Sequence, residues 1–95
     1  MEFQIPANAS SEILIEVVEE TCIANNLTCA LKGTLTSYPG CVHWHYRKAK
    51  QKGTLEITWW EVESRLWFKV AKGRKGEWID KLLPELKEQI EVSLK

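Results

Sequence analysis

Cys41-Val42-His43-Trp44-His45-Tyr46-Arg47 decides the fold. Large apolar side chains fall at Val42, Trp44 and Tyr46, and polar ones at His43, His45 and Arg47. This period of two marks a β-strand with one dry face and one wet face. Two later runs repeat it: Leu55, Ile57 and Trp59 alternate with Glu56, Thr58 and Trp60, and Leu66, Phe68 and Val70 with Arg65, Trp67 and Lys69. An earlier run sets Leu27, Cys29, Leu31 and Leu35 against Thr28, Lys32, Thr34 and Thr36. β-Branched and aromatic residues dominate these runs, as strands prefer.

On either side of the strands the period changes to 3.6. From Ser11 to about Ala24, Leu14, Val17, Val18 and Cys22 form one stripe, with Glu12, Glu16, Glu19 and Ile23 on the other side. Asn8 and Ser10 are competent N-caps, and Asn25-Asn26 stops the helix. Gly73-Arg74-Lys75-Gly76 ends the strands. Ile79, Leu82, Leu83, Leu86 and Ile90 then mark the buried stripe of a second helix, in which Pro84 predicts a kink or a broken first turn. Phe3 and Ile5 alternate before Pro6 and suggest a short extra strand. The expected architecture is a single α+β domain over residues 1–95, of order αββββα. A four-stranded antiparallel meander packs on two helices in two layers.

Turn chemistry proposes a register. Tyr38-Pro39-Gly40-Cys41 has the Pro-Gly centre of a type II turn, which sets Leu35 opposite Trp44, Thr36 opposite His43 and Lys32 opposite Arg47. A loop centred on Gln51-Lys52 sets Trp44 opposite Trp59, Tyr46 opposite Ile57, Arg47 opposite Glu56 and His43 opposite Trp60. A turn at Val62-Glu63 sets Ile57 opposite Phe68, Leu55 opposite Val70, Trp60 opposite Arg65 and Glu56 opposite Lys69. All three hairpins place Leu31, Leu35, Trp44, Tyr46, Leu55, Ile57, Trp59, Leu66, Phe68 and Val70 on the inner face. The outer face then reads as rows: Lys32–Arg47–Glu56–Lys69, Thr34–His45–Thr58–Trp67 and Thr36–His43–Trp60–Arg65.

Charge sharpens the interest of that outer face. Thirteen bases balance thirteen acids, so the total points to no partner. Residues 1–26 nevertheless carry five acids and no base, while residues 27–76 carry ten bases against three acids. Local fields therefore matter more than the sum. Arg47, Arg65 and Lys69 supply positive charge, and Trp60 and Trp67 supply flat contact area. With His43 and His45 they form a candidate surface for a protein partner, a second copy of the chain, or a nucleic acid or other polyanion. The first reading is thus a non-enzymatic binding domain without cofactor. The second is a metal site or small enzyme. His43 and His45, two apart on one strand, share a face, and such a pair chelates one metal with Cys41 or Glu56 as third donor. Lys32, Arg47 and Arg65 close by oppose a cation there, and no phosphate loop or nucleophile elbow occurs.

Three unclustered cysteines (Cys22, Cys29 and Cys41) fit a reducing compartment, with Cys22 and Cys29 read as core. The start of the chain lacks a basic and apolar leader, and no apolar run approaches membrane-spanning length. The expected setting is bacterial cytoplasm. An acidic first helix, an antiparallel sheet and an outer tryptophan loosely resemble the layering of frataxin. The extra strands and the Gln-x-Trp run of that family are absent, so no residue or function is carried over.

Overall fold

The computed structural model describes residues 1–95. It contains α1 (Ser11–Ala24), β1 (Thr28–Leu35), β2 (Tyr38–Arg47), β3 (Leu55–Trp60), a 3-10 turn (Glu61–Glu63), β4 (Arg65–Lys69) and α2 (Glu77–Ser93). The strands form one antiparallel sheet in the order β1-β2-β3-β4, which is the expected αββββα meander. Leu14, Val18 and Cys22 of α1 and Ile79, Leu86 and Ile90 of α2 close over Trp44, Tyr46, Leu55, Ile57, Trp59, Leu66 and Phe68 in one core. Ser10 caps α1 by accepting from the backbone N–H of Ile13. α2 runs unbroken through Pro84, because apolar residues buried on both sides of the proline outweigh one missing hydrogen bond. No helix is long and apolar enough to cross a membrane.

The short extra strand is a single bridge, Glu2 opposite Trp67. Phe3 N–H donates to the Leu66 carbonyl and Phe68 N–H to that of Met1, so residues 1–3 line the free side of β4. Phe3 meets Phe68 edge-on, with ring centroids 4.6 Å apart. β1 is the opposite edge, and most of its residues are exposed.

The register of β3 on β4 is as expected: Glu56 faces Lys69, Ile57 faces Phe68 and Trp60 faces Arg65. The other two hairpins differ. β2 and β3 are offset by two residues, so Trp44 faces Ile57, His43 faces Thr58 and His45 faces Glu56. The offset keeps every side chain on its expected face. At the end of the loop, Thr54 N–H bonds the Arg74 carbonyl and ties the loop to the β4–α2 connection.

In the first hairpin the turn is Thr36-Ser37, with Leu35 opposite Tyr38. Pro39-Gly40 is not a hairpin turn but an irregularity inside β2, with Gly40 at φ +82°. With a second irregularity between Cys29 and Leu31, it brackets Leu31 to Gly33 and reverses the faces of that stretch of β1. Leu31 therefore stands opposite His45 and is 47% exposed, instead of joining the core. Cys29, opposite Tyr46 and read as core, is exposed on this edge strand, while Lys32 now faces the helices instead of the outer rows.

Lys32 finds a partner there. Its Nζ lies 2.7 Å from Glu19 Oε2, and the same carboxylate accepts from Trp44 Nε1 at 2.9 Å. Partial burial pushes the Glu19 carboxyl up, but the bonds from Lys32 and Trp44 prevail and hold it below its ordinary value. Glu19 thus ties α1 to the sheet. Glu19→Ala leaves the indole N–H of a fully buried tryptophan without its acceptor and is expected to destabilise the domain by about 1–3 kcal/mol. Glu19→Gln, which can still accept from Trp44, should lose under about 1 kcal/mol, the usual contribution of an exposed ion pair. Equal losses in urea unfolding of the two variants would remove the Trp44 bond as the cause.

Candidate metal centre

The two-residue offset brings a carboxylate to the histidines. His45 is paired with Glu56, and His43 with Thr58, on the face away from the helices. His43 Nε2 lies 3.1 Å from His45 Nε2 and 3.3 Å from Glu56 Oε1, and His45 Nε2 lies 3.9 Å from that oxygen. A point equidistant from these three atoms lies about 2.0 Å from each, the length of a Zn–N or Zn–O bond. No other three His, Cys, Asp or Glu side chains in the chain converge in this way.

The surroundings leave an approach. The His43 side chain is buried, whereas those of Glu56 and His45 are 13% and 20% exposed. Across from His43 stands Gly33, where a Cβ would meet nothing within 4 Å. Lys69 faces Glu56 from β4 and Leu31 faces His45 from β1.

Hydrogen bonds set the imidazole rings. His43 Nδ1 lies 2.8 Å from Thr58 Oγ1. With the hydroxyl accepting, the Nδ1 proton is held there and Nε2 presents a lone pair to the cluster, as an outer-shell partner does for a metal-bound histidine. His45 Nδ1 lies 3.3 Å from the Arg74 guanidinium, which only donates. In the metal-free domain this leaves the His45 hydrogen on Nε2, directed at His43 Nε2. Desolvation lowers the pKa of His43, with His45 and Lys69 adding to the effect and Glu56 opposing it. The balance favours the neutral imidazole, the form that binds metals.

The other expected contact residues are largely occupied within the chain. Arg65 is bonded to Glu2 and lies over the Trp67 ring at 4.9 Å, not over Trp60. Trp60 Nε1 donates to the Pro39 carbonyl, and Tyr38 meets Trp60 and Trp67 edge-on at 5.1 and 5.0 Å. Arg47 donates to Thr54 Oγ1 at 3.2 Å, and its cross-strand partner is Thr28, not Lys32. Lys69 remains exposed beside Glu56.

Cys41, an expected third donor, is buried within β2. Its sulfur accepts from the Leu35 N–H at 3.3 Å and fills a gap in the β1–β2 ladder. The Cys22 thiol is pushed up to about 12 by burial and stays protonated in the core.

Sequence reasoning named His43, His45 and Glu56 but separated them by placing Glu56 against Arg47. It did not find Arg74 beside His45, because the two meet only where the β4–α2 connection crosses the end of the sheet. Comparison of the chain with protein-family models, with curated proteins and with solved structures finds no match in any of the three.

Proposed function

We propose that this domain binds one divalent transition-metal ion through His43 Nε2, His45 Nε2 and Glu56 Oε1. The observation that carries the reading is the triangle of donor atoms, whose centre stands at metal–ligand distance from all three. Two imidazoles and a carboxylate form a donor set that suits zinc and non-haem iron and leaves further positions for water or a ligand. Zinc is the cation proposed first, because it accepts a three-residue site without a redox partner. Three free cysteines support a reducing, cytoplasmic setting.

The alternative reading, a docking surface for a protein or polyanion, has less support. Arg65 and the two tryptophans on that face already have partners in the chain.

The test is calorimetric titration with zinc, repeated on His43→Ala, Glu56→Gln and Thr58→Val. One zinc per chain is expected for wild type. Thr58→Val, which loses the hydroxyl that orients His43, should weaken binding by roughly 10–100-fold, and loss of either ligand by more. Equal zinc affinity in wild type, His43→Ala and Glu56→Gln would show that the ion sits elsewhere.

A further inference from the structure

Beside the metal centre, and sharing His45 with it, lies a cleft of about 340 Å³. Its walls include Arg47, Lys52 and Arg74, and no carboxylate lines it. None of these three cations forms an ion pair within the chain. Such a concentration of positive charge is notable in a chain of zero net charge.

The cleft meets a requirement that the metal creates. A metal-bound histidine nearly always donates its second ring N–H to an acceptor. For His43 that acceptor is Thr58. For His45 the structure offers only the Arg74 guanidinium, a donor, at 3.3 Å from Nδ1. When a metal takes the Nε2 lone pair of neutral His45, its hydrogen resides on Nδ1. That N–H and the Arg74 N–H groups then point at one another, and neither has an acceptor within the chain. An oxyanion placed between them satisfies both.

Resting on the metal reading above, we infer that the cleft is the seat of a small phosphate-class anion. One anion oxygen accepts from His45 Nδ1–H, while Arg74 and Arg47 bind the others. Three cations match a phosphate dianion better than a single carboxylate, and guanidinium groups suit its planar pairs of oxygens. Metal and anion meet through one imidazole, the metal on Nε2 and the anion on Nδ1–H. Each therefore strengthens the binding of the other by the same factor.

The probe is phenyl phosphate, titrated at constant ionic strength into the zinc-loaded and the zinc-free domain. Binding at least fivefold tighter with zinc is expected, and zinc should bind tighter by the same factor in the presence of phenyl phosphate. Arg74→Ala should lose tenfold or more in phenyl phosphate affinity while still binding zinc. Arg47→Ala, further from His45, should weaken the anion and keep the coupling to zinc. Zinc binding without any phenyl phosphate binding at millimolar concentration would overturn the anion seat and leave the metal centre standing. Equal anion affinity with and without zinc, or in Arg74→Ala and wild type, would overturn it as well. Failure of zinc itself to bind would bring down the metal reading, and this inference with it.

Discussion

Zinc at about 100 times its dissociation constant is expected to raise the thermal midpoint of the domain by roughly 10–20 °C and to leave that of His43→Ala unchanged. A ligand that binds only the native state at that excess adds about 2.7 kcal/mol. In a domain of this size each kcal/mol moves the midpoint by roughly 4–8 °C. The native state is favoured because the donors come from two strands: His43 and His45 stand on β2 and Glu56 on β3, and only their pairing brings the three atoms together. The ion also relieves a local conflict, since Glu56 Oε1 lies 3.3 Å from a His43 Nε2 that presents a lone pair. The histidines and three cysteines of the unfolded chain also bind some zinc, which moves the shift toward the lower end. Glu56→Gln serves as the second variant, because it keeps the size of the side chain while removing the charged donor. It too should show no shift. A wild-type midpoint that does not respond to zinc, measured by circular dichroism with and without chelator, would contradict the metal centre.

Gly76→Ala is the substitution expected to damage the fold most. A Cβ there would overlap the Lys52 carbonyl oxygen and stand 3.2 Å from the Gly53 Cα. The Lys52 oxygen cannot easily retreat, because it accepts from Trp78 Nε1 at 3.1 Å. Gly53 is buried, and at φ +120° it holds a conformation in which an L side chain is strained. Two glycine backbones are thus packed against each other where the β2–β3 loop meets the start of α2. The destabilisation should exceed the roughly 1–3 kcal/mol typical of an overpacked core, a large fraction of a small domain's stability. Gly33→Ala is the control: its Cβ meets nothing within 4 Å, and the change should stay within about 0.5 kcal/mol. Similar urea midpoints for the two variants would show that the loop and helix can separate at little cost.

The parts of the fold that were legible in the sequence are those fixed by alternation. β2, β3 and β4 place Trp44, Tyr46, Ile57, Trp59 and Phe68 inward and His43, His45 and Glu56 outward, as a period of two requires. The β3–β4 pairing was also legible because only Glu61 to Ser64 separate the strands. The β2–β3 offset was not, because parity tolerates any even shift and the loop is long enough to absorb one. That shift replaced Arg47 with His45 as the partner of Glu56, turning an ion pair into a candidate metal site. The β1 faces were misread for another reason. Pro39-Gly40 has the residues of a turn but serves as an irregularity within β2, and local composition does not distinguish the two uses.

Residues 1–3 bond along the free side of β4, so β1 is the longer bare margin of the sheet. A tape that adheres well along one side only is a poor template for further strips. The lateral stacking open to a sheet with two long bare edges is narrowed here by three residues of the chain itself.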